Sequence, residues 1–482
     1  MTLSAHPAAT DASAVTASPA PPAIASEAAR AAPVPFSTRL GWGIGSLGVA
    51  ILFNSYAVLL LFYLTDVVGM KVQVAGLLLT IAKLYNVVCD VPIGLLSDRS
   101  HSRWGRRRPW MLAGSFLCAA AFIVMFNVPQ TGTPGDMETA TYVLGSLVFY
   151  ATAYSMFNVP YMAMPGEMSN SYHERTAIMS YRVVFIQVGY LIGVGLAPRL
   201  ARVLGGGALG YGRIGWILGV AAGLAMLASF FGTARARATE RESVRYTARE
   251  QFLSAIGNRP FLLLSAFKLL TLFSGATVTA TLLYFVKNIL RHDAGIMLWY
   301  SIGHAGAALL SVPLFWVPLS ARIGKHRALM VATLGFLLVA LSWLLAEPGE
   351  SEWMFTLRAF ALGAFAAGKL LLGMTLLPDI MEYDSLRTGM RREGVFSGAY
   401  SLVEKSAFAL SPLVLSLILA LFGYRESVNN AFVEQSSDAL FGIYLNIAIV
   451  PAICNGLAAL VLLRWDLTEQ RLQELRQAAR QG

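Results

Sequence analysis

Residues 94–109 read Gly94-Leu-Leu-Ser-Asp98-Arg99-Ser-His-Ser-Arg103-Trp104-Gly105-Arg106-Arg107-Arg108-Pro109, a strongly basic turn between two long apolar runs. Far downstream, Pro318-Leu-Ser-Ala-Arg322-Ile-Gly324-Lys325-His326-Arg327 repeats its outline in eroded form. A helix that crosses a bilayer needs about 20 mostly apolar residues. Working outward from the two turns, runs of that kind lie near 40–65, 73–97, 110–128, 140–164, 178–198, 214–232, 260–286, 295–318, 327–346, 354–378, 394–422 and 440–464. The second turn follows the first by six runs. The expected fold is therefore all-α, with twelve transmembrane helices in two parallel six-helix bundles. Such a repeat places a site between the halves at mid-membrane.

Composition agrees. Of 482 residues, 56% are hydrophobic and only 13% charged, where a soluble protein would carry about 25% charged residues. The apolar runs do not alternate, which argues against a membrane β-barrel. Abundant glycine, 43 residues, suits helices packed closely in lipid. Three cysteines cannot build a disulfide scaffold, and Cys89, Cys118 and Cys454 all fall inside apolar runs as small packing residues.

The net charge of +10 is topological. Of 37 Lys and Arg, 24 fall on the termini and the 2–3, 4–5, 6–7, 8–9 and 10–11 connections. The opposite connections hold seven: Lys71, Arg199, Arg202, Arg213, Lys287, Arg291 and Arg425. By the positive-inside rule this asymmetry puts both termini in the cytoplasm of a cell whose inner membrane the chain crosses. It leaves no reason to invoke nucleic acid. Residues 1–36 are Ala/Pro/Ser-rich and form a disordered leader without the pattern of a signal peptide. The six-helix halves are 37–232 and 260–464. A cytoplasmic loop, 233–259, joins them with Arg235, Arg237, Arg241, Arg245, Arg249 and Arg259, and 465–482 is a polar tail.

The first turn resembles the signature of the major facilitator superfamily. More narrowly, several stretches are similar to the melibiose-carrier type of glycoside–pentoside–hexuronide:cation symporter. They are Tyr63-Leu-Thr-Asp66-Val-Val-Gly69, Asp90-Val-Pro-Ile-Gly with Ser102-Arg-Trp-Gly, and Asn158-Val-Pro-Tyr161. Glu174-Arg175-Thr176 with Ser180-Tyr181-Arg182, Asp379-Ile-Met-Glu-Tyr383-Asp384, Arg392-Glu393-Gly394 and Val433-Glu434-Gln435-Ser436 follow in family order. The similarity runs from about residue 39 to 475, everything but the leader. It implies a carrier that takes a small-molecule substrate across the membrane by alternating access.

A charge at the bilayer centre costs about 2.5–3.5 kcal/mol even on a lenient scale, so each one needs a reason. Lys83, Asn86 and Asp90 share one helical face. Asp90 lies eight residues before Asp98, about 12 Å from the helix end, too deep to snorkel. Its carboxylate can take up a proton or hold a small cation; the alternative is a static Asp90–Lys83 pair. The resemblance places Asp90 on a cation-site aspartate, and Asn86 and Asn158 where melibiose-type carriers have further acids. Val49 and Ala50 replace a Lys–Asp pair whose aspartate holds sugar hydroxyls. One acid of four is kept, which favours a proton over sodium as coupling ion.

Lys83, Arg182, Tyr161, Tyr400, Ser401 and Lys405 are the candidate substrate contacts. Arg182 offers bidentate hydrogen bonds to a substrate or carboxylate, Asp90 included. The resemblance aligns Lys405 with a family lysine near the cation and sugar sites, and Glu404 can pair with a lysine of a neighbouring helix. Tyr56 and Tyr154 add stacking surface. Inside the runs, Lys83, Arg182, Lys268, Arg358, Lys369 and Lys405 face only Asp90 and Glu404, an excess that points toward an anionic sugar. Asp98, Arg99, Arg103 and Arg106, with Arg322 from the second turn, are expected to latch the two bundles on the cytoplasmic side. No histidine spacing suits a metal, no Walker loop is present, and no nucleophile–base set marks an enzyme. No cofactor is expected, and the chain is read as a monomer. Two other readings stay open: an uncoupled facilitator, or a carrier of lysolipids or other organic anions on the same fold.

Overall fold

The computed structural model describes residues 34–129, 136–169, 172–234, 236, 257–388, 393–467, 471–475 and 477. The leader up to residue 33, Arg392, and Arg235, Arg237, Arg241, Arg245 and Arg249 of the central loop lie outside the described residues. Each of the twelve expected runs is a helix: α1 (Phe36–Val67), α2 (Val72–Arg99), α3 (Arg108–Met125), α4 (Met137–Met168), α5 (Ala177–Val203) and α6 (Gly207–Gly232). The second half supplies α7 (Arg259–Leu290), α8 (Ala294–Ile323), α9 (Lys325–Leu345), α10 (Glu352–Thr388), α11 (Val395–Leu421) and α12 (Ser437–Leu463). Helix α10 continues well beyond its apolar run, to Thr388, because hydropathy marks only the part in hydrocarbon while backbone bonding continues into the polar zone.

Local chemistry sets several starts. Asp136 accepts the Thr139 amide at 2.8 Å ahead of α4, Asn258 accepts that of Phe261 at 3.1 Å ahead of α7, and Ser436 accepts that of Ala439 at 3.2 Å ahead of α12. Each cap satisfies an amide that the helix leaves without a partner. Pro109 and Pro260 occupy first-turn positions of α3 and α7, where a missing N–H costs nothing.

Within the first half α1 packs on α5 and α6, α3 on α4 and α6, and α2 on α4. Within the second, α7 packs on α11 and α12, α9 on α10 and α12, and α8 on α10. Small residues allow the closest crossings: a Cβ on Gly41 of α1 would stand 2.6 Å from Gly232 Cα of α6. Leu224, Leu338 and Leu460 are among many large apolar side chains exposed on the outside, a surface suited to lipid and not to water.

The halves meet through α1 with α7, α2 with α11, and α5 with α8. Twelve crossings return the chain to the face where it began, so both ends share one face, here the termini face; the other is the far face. Helices α1 and α7 both end on the far face in a wider π-turn, Tyr63–Val67 and Val286–Leu290. Such turns often mark functional positions.

Candidate functional site

Midway along α2, Lys83, Asn86 and Asp90 do share a face, turned toward α4 and α11. Lys83 and Asn86 line a cavity of about 120 Å³ together with Phe53 and Tyr56 of α1, Tyr150, Tyr154 and Asn158 of α4, and Glu404, Lys405 and Phe408 of α11. Asp90 sits one turn below Asn86. Its Oδ1 accepts the Ser155 hydroxyl at 2.5 Å, and that hydroxyl accepts Asn86 Nδ2 at 2.9 Å. Asn86 Nδ2 also donates to the Ala151 carbonyl at 3.2 Å. From across the interface Lys405 Nζ forms an ion pair with Asp90 Oδ2. The chain Asn86–Ser155–Asp90–Lys405 therefore links α2 and α4 of one half to α11 of the other.

This corrects the alternative of a static Asp90–Lys83 pair. Seven residues separate the two on one helix, an axial rise of about 10.5 Å. Lys83 instead places its ammonium 4.1 Å from the centre of the Tyr56 ring and 5.3 Å from that of Phe53, a cation–π seat with no carboxylate in ion-pair range among the described residues. Arg182 makes no ion pair with Asp90 or with any other described carboxylate; its charge lies near Tyr154 and Tyr161. Glu404 pairs with Lys268 of α7 at 2.8 Å, and Lys268 also donates to the Tyr400 carbonyl at 3.0 Å. Arg358 is held near the far face by both oxygens of Glu350. Lys369 donates to Asn455 Oδ1 at 2.8 Å inside the second half, away from the cavity.

Four expected substrate contacts do not line the cavity: Arg182, Tyr161, Tyr400 and Ser401. Tyr161 is only 1% exposed; its hydroxyl bonds Ser46 Oγ at 2.5 Å and the Trp42 carbonyl at 2.9 Å while its ring stacks on Trp42. It fastens α4 to α1. Tyr400 is covered by the Lys268 ammonium, 3.4 Å from its ring centre, and Ser401 is exposed away from the cavity wall. Phe53, Tyr150 and Phe408 take their place, with Tyr56 and Tyr154. The wall comes from α1, α2, α4 and α11.

The basic turn is also redirected. Asp98 pairs with Arg107 at 2.6 Å, and Arg106 and Arg107 both reach Glu167 Oε1 at the end of α4, at 2.7 and 2.9 Å. These ties stay within the first half. Arg99 is exposed, Arg103 lies over Trp104, and Arg322 is exposed on the other half. Between described residues none of them joins the two bundles. Glu167, on the first half, takes Arg106 and Arg107.

One cluster escapes a reading of the sequence. At the far end of α1, Asp66 is 1% exposed and accepts Lys287 Nζ at 2.6 Å, the Tyr424 hydroxyl at 3.0 Å and the Thr65 hydroxyl at 2.9 Å. By sequence Lys287 counts as a loop cation. The signal lies in the repeat: Tyr63-Leu-Thr-Asp66 closes α1 as Tyr284-Phe-Val-Lys287 closes α7.

Known proteins share this plan. A family model described as MFS/sugar transport protein matches residues 41–469. The chain is 28% identical over 444 residues to the uncharacterized symporter YnaJ of Bacillus subtilis, covering 91% of this chain and 93% of that one. It is 25% identical over 454 residues to the glucuronide carrier protein homolog of Escherichia coli, covering 91% and 94%. Among solved structures, that of a point mutant of the nucleoside transporter NupG superposes with a TM-score of 0.63 at 13% identity, over 88% of this chain and 99% of that one, a likeness of fold.

Proposed function

The chain belongs to the MFS/sugar transport protein family, and from that premise we propose that it is a proton-coupled symporter of an anionic sugar or glycoside. It works by alternating access in the inner membrane, with both termini in the cytoplasm. The observation that carries the reading is the Asp90–Lys405 ion pair between the halves at the cavity. Protonating Asp90 removes its charge and releases Lys405. Lys405 and Lys83 then face the cavity as two cations, and the acid group of the substrate supplies the missing charge. When substrate and proton leave, the Asp90 carboxylate recaptures Lys405 and draws α2 and α11 together.

A single carboxylate suits a proton. Sodium binds best to several oxygens carrying more than one negative charge; here Asn86 and Asn158 stand near one aspartate already occupied by an ammonium, and the other acid of the cavity, Glu404, is held by Lys268. Unpaired Lys83, with aromatic rings for a sugar face, supports an anionic glycoside, and the relative named as a glucuronide carrier homolog supports the same class.

The test is uptake into proteoliposomes of a panel containing neutral glycosides, glucuronides and lysolipids, under an imposed pH gradient and then under a sodium gradient at fixed pH and potential. The reading expects pH-driven accumulation of the uronides. Accumulation driven by sodium alone, or confined to neutral glycosides or lysolipids, would overturn it.

A further inference from the structure

Between described residues, the hydrogen bonds and ion pairs that join the two halves run from Asp90–Lys405 toward the far face. The densest set surrounds Asp66, whose carboxylate and backbone carbonyl are both engaged. Lys287 and Tyr424 bond the carboxylate. The Ser427 hydroxyl donates to the Asp66 carbonyl at 2.9 Å, and the Asn430 amide donates to the same carbonyl at 2.7 Å. Thr65 Oγ1 lies 2.7 Å from the Tyr284 hydroxyl of α7. Asp66 and Lys287 thus occupy matching positions in the two repeats, one acidic and one basic, and meet on the axis that relates the halves.

Two further contacts flank this pair. A Cβ placed on Gly76 of α2 would overlap Oγ and Cβ of Ser416 on α11, and one placed on Gly195 of α5 would overlap Ser301 on α8. In the six-helix repeat α2 corresponds to α8 and α5 to α11, so these are the same junction seen from either side. Both times the glycine belongs to the first half and the serine to the second. Each seat lets two backbones approach closer than any side chain would permit.

We infer that the Asp66–Lys287 pair and the two glycine–serine seats, Gly76–Ser416 and Gly195–Ser301, form the outer gate, and that all three must part for the cavity to open to the far face. The physics suits a reversible closure. A buried ion pair gives back in desolvation much of what it gains in attraction, so it defines the closed arrangement without locking it. When the gate parts, both charges return to water. The glycine seats gain nothing from charge, and they exclude any partly closed state in which the helices are out of register. A small space of about 30 Å³ on the gate side of Lys83, lined by Phe53, Ala57, Leu61, Leu79, Ala276 and Ala280 among others, marks where an opened path would run. The inference concerns the gate alone and stands whichever ion or substrate the cavity takes.

The test uses the full-length carrier with Cys89, Cys118 and Cys454 replaced and Ala280→Cys as reporter, labelled by a membrane-impermeant maleimide applied from the face opposite the termini. A cleavable C-terminal tag fixes the orientation. With the far-open state a minor one of about 10% or less, Gly76→Val or Gly195→Val should raise labelling about tenfold by blocking closure. Asp66→Asn should raise it less, and the exchange Asp66→Lys with Lys287→Asp should bring it back toward the parent. Each variant is scored only on protein that runs as a single peak in detergent. Gly76→Ala paired with Ser416→Gly, which returns the space, should label like the parent where Gly76→Ala alone does not. Unchanged labelling in both valine variants, or equal labelling of Gly76→Ala with and without Ser416→Gly, would overturn the gate.

Discussion

Replacing Lys405 by methionine strands the Asp90 carboxylate, and replacing Asp90 by asparagine strands the Lys405 ammonium. The two side chains are 32% and 15% exposed, Lys405 first, so the pair is mostly but not wholly desolvated. Removing one partner of a fully buried pair costs about 3–5 kcal/mol, and of a surface pair about 0.2–1 kcal/mol. Cavity water reaches about a third of Lys405, which places each single change at about 1–3 kcal/mol between those limits. The Ser155 hydroxyl can still donate to an asparagine oxygen at position 90, so Asp90→Asn isolates the charge from the hydrogen bond. Neutralising both partners leaves no stranded charge, and most of the loss should return. The assay is thermal unfolding in detergent, followed by tryptophan fluorescence for wild type, both single variants and the double variant. Each single change should lower Tm by a few degrees and the double by less than either. Strictly additive losses would mean that the two groups do not interact, and the coupling account would fail with them.

Other expectations follow from the same geometry. Lys83→Gln should weaken binding of a uronide about 10–100-fold, the scale of a charged hydrogen bond of about 1.5–3 kcal/mol, while a neutral glycoside of the same shape is unaffected; calorimetric titration compares the two. Tyr161→Phe should lower Tm through loss of the Ser46 and Trp42 bonds and leave the KM for transport unchanged, and a raised KM would restore Tyr161 to the site. Partial desolvation pushes the Asp293 carboxyl up, but the Gly295 amide and the Arg202 guanidinium facing it outweigh that and hold it below its ordinary value. A depressed carboxylate keeps its contribution until pH falls through the lowered value. The Tm difference between wild type and Arg202→Ala should therefore be the same at pH 7 and pH 5. With side chains 62% and 50% exposed that difference is small, below about 1 kcal/mol.

Sequence reveals the helices and one face of α2, since apolar runs and helical spacing follow directly from bilayer thickness and the 3.6-residue turn. Spacing does not reveal which helix that face meets; only the family resemblance puts Lys405 near the cation site of Asp90, and the ion pair itself is seen in the structure alone. Tyr154 and Tyr161 show the same limit. Both lie on one face of α4, yet one lines the cavity and the other seals α4 against α1, because depth in the bundle decides and spacing does not report depth. The basic turn misleads through abundance: many arginines make a cross-bundle latch plausible, and the proximity of Glu167 settles their partners. Asp66 and Lys287 go unread because each looks like the end of a span. Only the matching Tyr-x-x-Asp and Tyr-x-x-Lys ends, set side by side, single them out.

The central claim is that the charge of Asp90 couples a proton to substrate movement. It is tested most directly in proteoliposomes carrying Asp90→Asn, by comparing uphill uptake under an imposed pH gradient with substrate counterflow at equal pH. The account predicts that uphill accumulation is lost while counterflow continues, because the cavity and Lys83 remain. Accumulation at the wild-type level in that variant would contradict it.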